Sequence, residues 1–278
     1  MSSNGSVTPR EERPATVALS SSSVYPDLTE DAFRLAVELG YDGVEVMVYT
    51  DPVSQSATDL LRLVERYQMP IVSIHAPTLL LTQRVMHAEP WPKIDLSIDL
   101  AHAVGAPTVV AHPPFRWQRV YAREFVDGVA MREDEHDITI AVENMYPWRA
   151  GQRAVQAYLP HWDPVYQPYD HVTLDVSHAA TAQADSLEMA RALGSRLSHV
   201  HLTDGTGSSL DEHLVPGRGG QPVAELVGHL AETGFGGAIV IEVSTRKGTP
   251  ASRRADLAES LRFTREAWAA SPVNGVAS

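Results

Sequence analysis

Short runs of β-branched and small apolar residues recur along the chain, separated by stretches whose apolar positions return every three or four residues. The first kind of run predicts strands and the second predicts amphipathic helices. Strands are expected at 16–20 (TVALS), 43–48 (GVEVMV), 71–76 (IVSIHA), 107–112 (PTVVAH), 138–143 (ITIAVE), 171–176 (HVTLDV), 197–202 (LSHVHL) and 238–243 (AIVIEV). The first helix is expected to run to Leu39, capped by Asp27 or Thr29 and stopped by Gly40. Others follow at 57–67, 91–104, 121–135, 186–193, 223–233 and 251–269, with a weaker, proline-interrupted one beginning at 155–159. Runs such as TVALS, PTVVA and AIVIE are apolar throughout, as in a parallel sheet covered on both faces. Eight strands alternating with eight helices predict a single (β/α)8 barrel over 15–270, with a disordered polar tail at 1–14 and a short tail at 271–278.

The last residues of these runs are chemically unusual. Six of the eight end in, or just before, a metal-ligating side chain: His75, His112, Glu143, Asp175 with His178, His201 and Glu242. A parallel barrel turns all its strand ends toward one rim, where such residues converge. Two doubly wound halves would give no reason for the repetition.

Composition narrows the chemistry. The chain has 278 residues and no cysteine, so thiolate sites, disulfides and thiol nucleophiles are excluded, and any metal must be held by His and carboxylate. That donor set suits Zn, Mn, Co or Mg. The net charge of −13, with no Lys/Arg run interleaved with aromatics, argues against a nucleic-acid partner. No stretch approaches the roughly 18 apolar residues of a membrane span, and residues 1–14 read as neither signal nor anchor, so a cytoplasmic location is expected.

Glu143, Asp175, His201 and Glu242 end strands five to eight and can form one four-ligand site. His75 and His112 can share Glu143 as a bridge to a second ion, and His178, Asp211 and His213 can hold a third. His199 is assigned to the opposite face of its strand from His201, and is read as structural. Glu45 is expected either to bind a substrate hydroxyl or to pair with an arginine. Trp117 and Phe115 are expected to wall the pocket. The segment 146–169, with Trp148 among its aromatics, is either a lid over a sugar or a small satellite core. Arg84, Arg116, Arg119, Arg149, Arg218 and Arg246 lie singly near the expected mouth, Arg218 and Arg246 being candidates for substrate binding, and Gly217–Gly220 (GRGG) resembles a phosphate nest.

The motifs SIHAP, VVAHPP, VENM, LDVSHA, HVHLTD, DEHLVPGRG and VIEVS resemble the xylose isomerase-like TIM-barrel superfamily over roughly residues 15–270. That superfamily joins sugar and sugar-phosphate isomerases and epimerases with the apurinic endonuclease (endonuclease IV) branch. The isomerase branch implies one ion on Glu143, Asp175, His201 and Glu242, with Glu143 and Glu242 flanking the substrate carbon as acid and base. There the metal polarises the carbonyl and stabilises an enediolate. The endonuclease branch implies three zinc ions on all nine residues and hydrolysis of a phosphate ester. The expected partner is a small sugar or phosphate ester, with the sugar reading favoured. An inactive, ligand-binding barrel is a third alternative, against which the intact glutamates argue. The resemblance also implies a dimer or tetramer.

Overall fold

The computed structural model describes residues 15–78, 82, 84–150 and 153–271. The expected tail at 1–14 lies outside them, as does all but the first residue of the tail at 271–278. The strands are β1 (Thr16–Ser20), β2 (Gly43–Met47), β3 (Ile71–His75), β4 (Thr108–Ala111) and β5 (Thr139–Glu143), then a short hairpin of β6 (Trp148–Ala150) and β7 (Arg153–Val155), then β8 (Val172–Asp175), β9 (Leu197–Leu202) and β10 (Ala238–Ile241). The helices are α1 (Thr29–Leu39), α2 (Ala57–Tyr67), α3 (Pro90–Val104), α4 (Arg119–His136), α5 (Val176–Ala182), α6 (Ser186–Leu193), α7 (Val223–Thr233) and α8 (Pro250–Ala269). All strands but the hairpin pair in parallel and close into a barrel of order β1-β10-β9-β8-β5-β4-β3-β2. Among the described residues, no helix is long and apolar enough to cross a membrane.

Strand periodicity sorts the barrel into two faces. One set of alternate residues, including Val44, Val46, Ile140, Val142, Leu174, Val200, Leu202, Ile239 and Ile241, joins the core between strands and helices. There they meet Phe33, Leu60, Ile94, Ile98, Phe125, Leu226 and Leu230, all fully buried. Each such side chain stabilises the fold by about 1.5–3 kcal/mol. The other set faces the lumen, and it is largely polar: Ser20, Glu45, Ser73, His75, Glu143, Thr173, Asp175, His199 and His201 are buried. His199 belongs to this set. Residues two apart on a strand share a face, so its expected placement opposite His201 is wrong; the two rings lie 5.2 Å apart.

The regular one-helix-per-strand alternation fails twice. No helix forms at 155–159. The chain after β5 makes the β6–β7 hairpin, pairing Trp148 with Val155, and Tyr158 bridges to Phe115. Phe115, Met145, Ala157 and Tyr158 bury one another as a satellite core, so part of segment 146–169 packs in the second of the two expected ways. After β8, Asp175 accepts the His178 N–H at 2.6 Å and turns the chain at once into α5, one residue before the expected strand end. Neither Asp27 nor Thr29 caps α1; Leu28 holds the N-cap position and its N–H reaches the Asp31 carboxylate at 3.2 Å, while the Thr29 N–H goes to Asp51 at 2.9 Å.

Candidate metal centre

Glu143, at the end of β5, is the hub of the rim. Its Oε2 lies 3.1 Å from His75 Nε2 and 2.9 Å from His112 Nε2, and its Oε1 lies 3.1 Å from His178 Nδ1 and 3.3 Å from His201 Nδ1. His201 Nδ1 is also 2.9 Å from Glu242 Oε2 and 3.7 Å from Asp175 Oδ2. An outer group continues from His178, whose Nε2 is 3.2 Å from Asp211 Oδ2; the same oxygen is 3.0 Å from His213 Nε2. All nine candidate ligands therefore form one continuous cluster. The donor atoms of Glu143, Asp175, His201 and Glu242 lie within 4.8 Å of one another, as do those of the triads His75–Glu143–His201 and Asp175–His178–His213.

Three neighbours set this geometry. The side-chain amide of Asn144 donates to the Asp175 carbonyl at 3.0 Å and its oxygen accepts the Asp175 N–H at 2.7 Å, which ties the end of β5 to the end of β8. Ser177 Oγ donates to Asp211 at 2.7 Å and accepts the His213 N–H at 2.9 Å, seating the outer arm. Ser22, in the polar run after β1, donates to Glu242 Oε1 at 3.0 Å. Sequence reasoning missed all three; only the asparagine in VENM and the serine run after β1 hinted at them. Tyr146 was missed as well, with its ring 5.1 Å from that of His178.

Carboxylates and imidazoles of the cluster shift one another strongly. Burial pushes the Glu143 carboxyl up, but the imidazoles of His112 and His201 hold it well below the usual carboxylate range. Burial pushes His201 down, yet the carboxylates of Glu242, Glu45 and Glu143 carry it well above the usual imidazole value. His213 is raised to about 10 in the same way: burial lowers it, and Asp211 and Asp175 outweigh that. His112 is lowered, because burial outweighs its pairing with Glu143. Buried carboxylates need positive partners, and one oxygen, Asp175 Oδ2, has no hydrogen-bond partner among the described residues. A dense set of nitrogen and oxygen donors with one unpartnered carboxylate oxygen fits a divalent ion of the Zn, Mn, Co or Mg group.

The expected substrate contacts are distributed unevenly. Glu45 does not pair with an arginine; it is fully buried in the lumen below the rim, bound to Ser73, His199 and His201. Arg218 is held at 2.8 Å by Asp256 and 2.5 Å by Glu259 on α8, so its charge is already engaged away from the cluster. Arg246 is exposed and makes no ion pair among the described residues, and the same holds for Arg84, Arg116 and Arg119. Trp117 and Trp148 lie 5.7 Å apart, both partly exposed, with Trp117 stacked on Phe115 at 4.7 Å. They form the open edge of the satellite core. The GRGG nest is filled by the chain itself: Asp204 accepts N–H groups from Gly205, Gly217, Gly219 and Gln221 at 2.8–3.1 Å. A Cβ at Gly219 would collide with that carboxylate, which explains the glycine.

Comparison with known proteins finds relatives of this chain. The family described as "Xylose isomerase-like TIM barrel" matches residues 33–267. An uncharacterized protein of Mycobacterium tuberculosis is 49% identical over 274 residues, covering 91% of this chain and 98% of its own. Fructoselysine 3-epimerase of Shigella flexneri is 26% identical over 238 residues, covering 78% and 85%. Among solved structures, an AP endonuclease of family 2 from Brucella melitensis superposes with a TM-score of 0.68 at 18% identity, covering 90% of this chain and 99% of that one.

Proposed function

Since the chain belongs to the xylose isomerase-like TIM-barrel family, we propose that it is a divalent-metal-dependent isomerase or epimerase of a sugar or sugar phosphate. The observation that carries the reading is the convergence of Glu143, Asp175, His201 and Glu242 on one point, with two glutamates approaching from different strands. These four residues would hold the ion, which when bound supplies Lewis-acid polarisation of a substrate carbonyl. Glu143 and Glu242 then exchange a proton at the carbon next to that carbonyl, one removing it and the other returning it on the opposite side. Their carboxylate forms suit the removing step: burial raises both, and neighbouring imidazoles bring both below the usual range, His112 and His201 for Glu143 and His201 with His213 for Glu242. The partly exposed Trp117 and Trp148 offer an apolar face to a sugar ring. The epimerase among the relatives, at 26% identity, supports this class.

A second reading is favoured by a separate observation. Asp211, His178 and His213 continue the cluster outward, and His75 and His112 extend it on the other side of Glu143. A one-ion isomerase has no use for all of these, whereas a three-ion phosphoesterase does. Turnover discriminates the two. Solvent deuterium entering a ketose or its epimer supports the isomerase, and release of an alcohol from a phosphodiester supports the esterase. A metal-loaded protein inert in both assays sinks both.

A further inference from the structure

The layer of the lumen just below the metal cluster is polar. Ser73 of β3, Glu45 of β2 and His199 of β9 meet there, all buried. Glu45 Oε2 accepts from Ser73 Oγ at 2.8 Å and lies 2.9 Å from His199 Nε2. The same oxygen lies 3.3 Å from Nε2 of His201, while Glu45 Oε1 has no hydrogen-bond partner among the described residues. The opposite nitrogen of that ring, Nδ1, is the one that faces Glu242 at 2.9 Å and Glu143 at 3.3 Å.

An imidazole binds a metal through one nitrogen, and the hydrogen bond made by the other decides which. With Nε2–H donated to Glu45, the lone pair is left on Nδ1 and aimed into the cluster. The surrounding frame makes this a designed contact. A buried carboxylate is costly unless it is paired and hydrogen-bonded, and the lumen elsewhere accepts apolar residues such as Val110 and Val240. The backbone registers Glu45↔Ser73 and Asp175↔His201 lock the participants at fixed heights in the barrel.

We propose that Glu45, seated by Ser73 and His199, is a positioning residue that orients His201 with Nδ1 toward the divalent ion and so sets the protein's metal affinity. This rests on the metal reading above. Fully buried below the rim, Glu45 acts through His201.

The test is calorimetric titration of the demetallated full chain with Mn2+ alone. Outer partners of metal-ligating histidines contribute about 10–100-fold to metal affinity, so Glu45→Gln is expected to weaken Mn2+ binding by about that factor, and Ser73→Ala by less in the same direction. The melting midpoint of the metal-free Glu45→Gln protein should stay close to wild type, which a merely structural role would not allow. In 15N-histidine spectra of the Zn2+-loaded wild type, His201 should appear protonated at Nε2, with that resonance lost to fast exchange in Glu45→Gln. Should Glu45→Gln fail to fold, Ser73→Ala carries the same comparison. Mn2+ affinity within twofold of wild type in the folded variants would overturn the proposal. A wild-type protein that binds neither Mn2+ nor Zn2+ would bring down the metal reading itself, so the two failures are distinguishable.

Discussion

The inner and outer halves of the cluster are built from the same side-chain types but held by different means. Asp175 and His201 sit opposite each other in the β8–β9 ladder, and His201 pairs with Val240 of β10, so the hydrogen-bonded frame of the barrel fixes them. These inner groups have almost no exposure. Asp211 and His213 sit on the loop after β9, with side chains about a fifth exposed at 23% and 18%, and His213 has a positive φ of 45°. That loop is shaped by the Asp204 carboxylate inside its glycine nest and by Ser177 of α5. The inner group thus inherits its geometry from the fold, whereas the outer group depends on a few local polar contacts.

The largest effects are expected at the inner group. Glu143→Gln and Glu242→Gln each keep shape and remove a carboxylate proposed to exchange the proton; turnover should fall by about 10²–10⁴-fold in steady-state assays, with the folded circular-dichroism spectrum retained. Next in size is Asp204→Ala, which strands several backbone N–H groups of the loop. It should cost about 2–3 kcal/mol in denaturant unfolding and loosen the outer group while inner metal binding persists. For His213→Ala, turnover on the proposed isomerase reading should change by less than about tenfold, whereas loss of a bound ion in this variant favours the three-ion reading. A complete loss of epimerisation there would erase the distinction between the two halves.

The smallest effect lies at the far end of the barrel and serves as a control. Glu133 of α4 is pushed up to about 7 by burial, opposed by the Ile140 N–H and reinforced by Asp170. A carboxyl raised in the folded state favours folding at low pH, so its contribution is fully present below about 4.5 and is lost as pH rises through about 7. Its partly exposed position screens the effect to roughly 1 kcal/mol. Glu133→Gln should flatten this part of the pH–stability curve whether or not metal is bound; an unchanged slope would contradict the assignment.

The same contrast explains what could be read from the sequence. Strands such as AIVIE and HVHL announce themselves because both faces are covered, and acids and imidazoles at their ends stand out against apolar runs. The β6–β7 hairpin does not, since its order comes from aromatic packing on Phe115 across more than thirty residues of chain, as the 5.0 Å contact with Tyr158 shows. Helix α5 was hidden because Asp175 serves both as strand end and as cap. His199 was misplaced by an error of periodicity, and the misplaced residue turned out to lie beneath the cluster. The roles of Asn144, Ser177 and Asp204 depend on which loops meet, and neither composition nor spacing encodes that.

Strand-end acids and imidazoles of this barrel are proposed to clasp divalent ions. Elemental analysis of the purified full chain after incubation with Zn2+ or Mn2+ and removal of the excess tests it most directly. At least one tightly held ion is expected per wild-type chain, with a large loss in a folded Glu143→Ala variant, because Glu143 joins every part of the cluster. A wild-type chain that retains no ion, or a variant that retains as many, would contradict it.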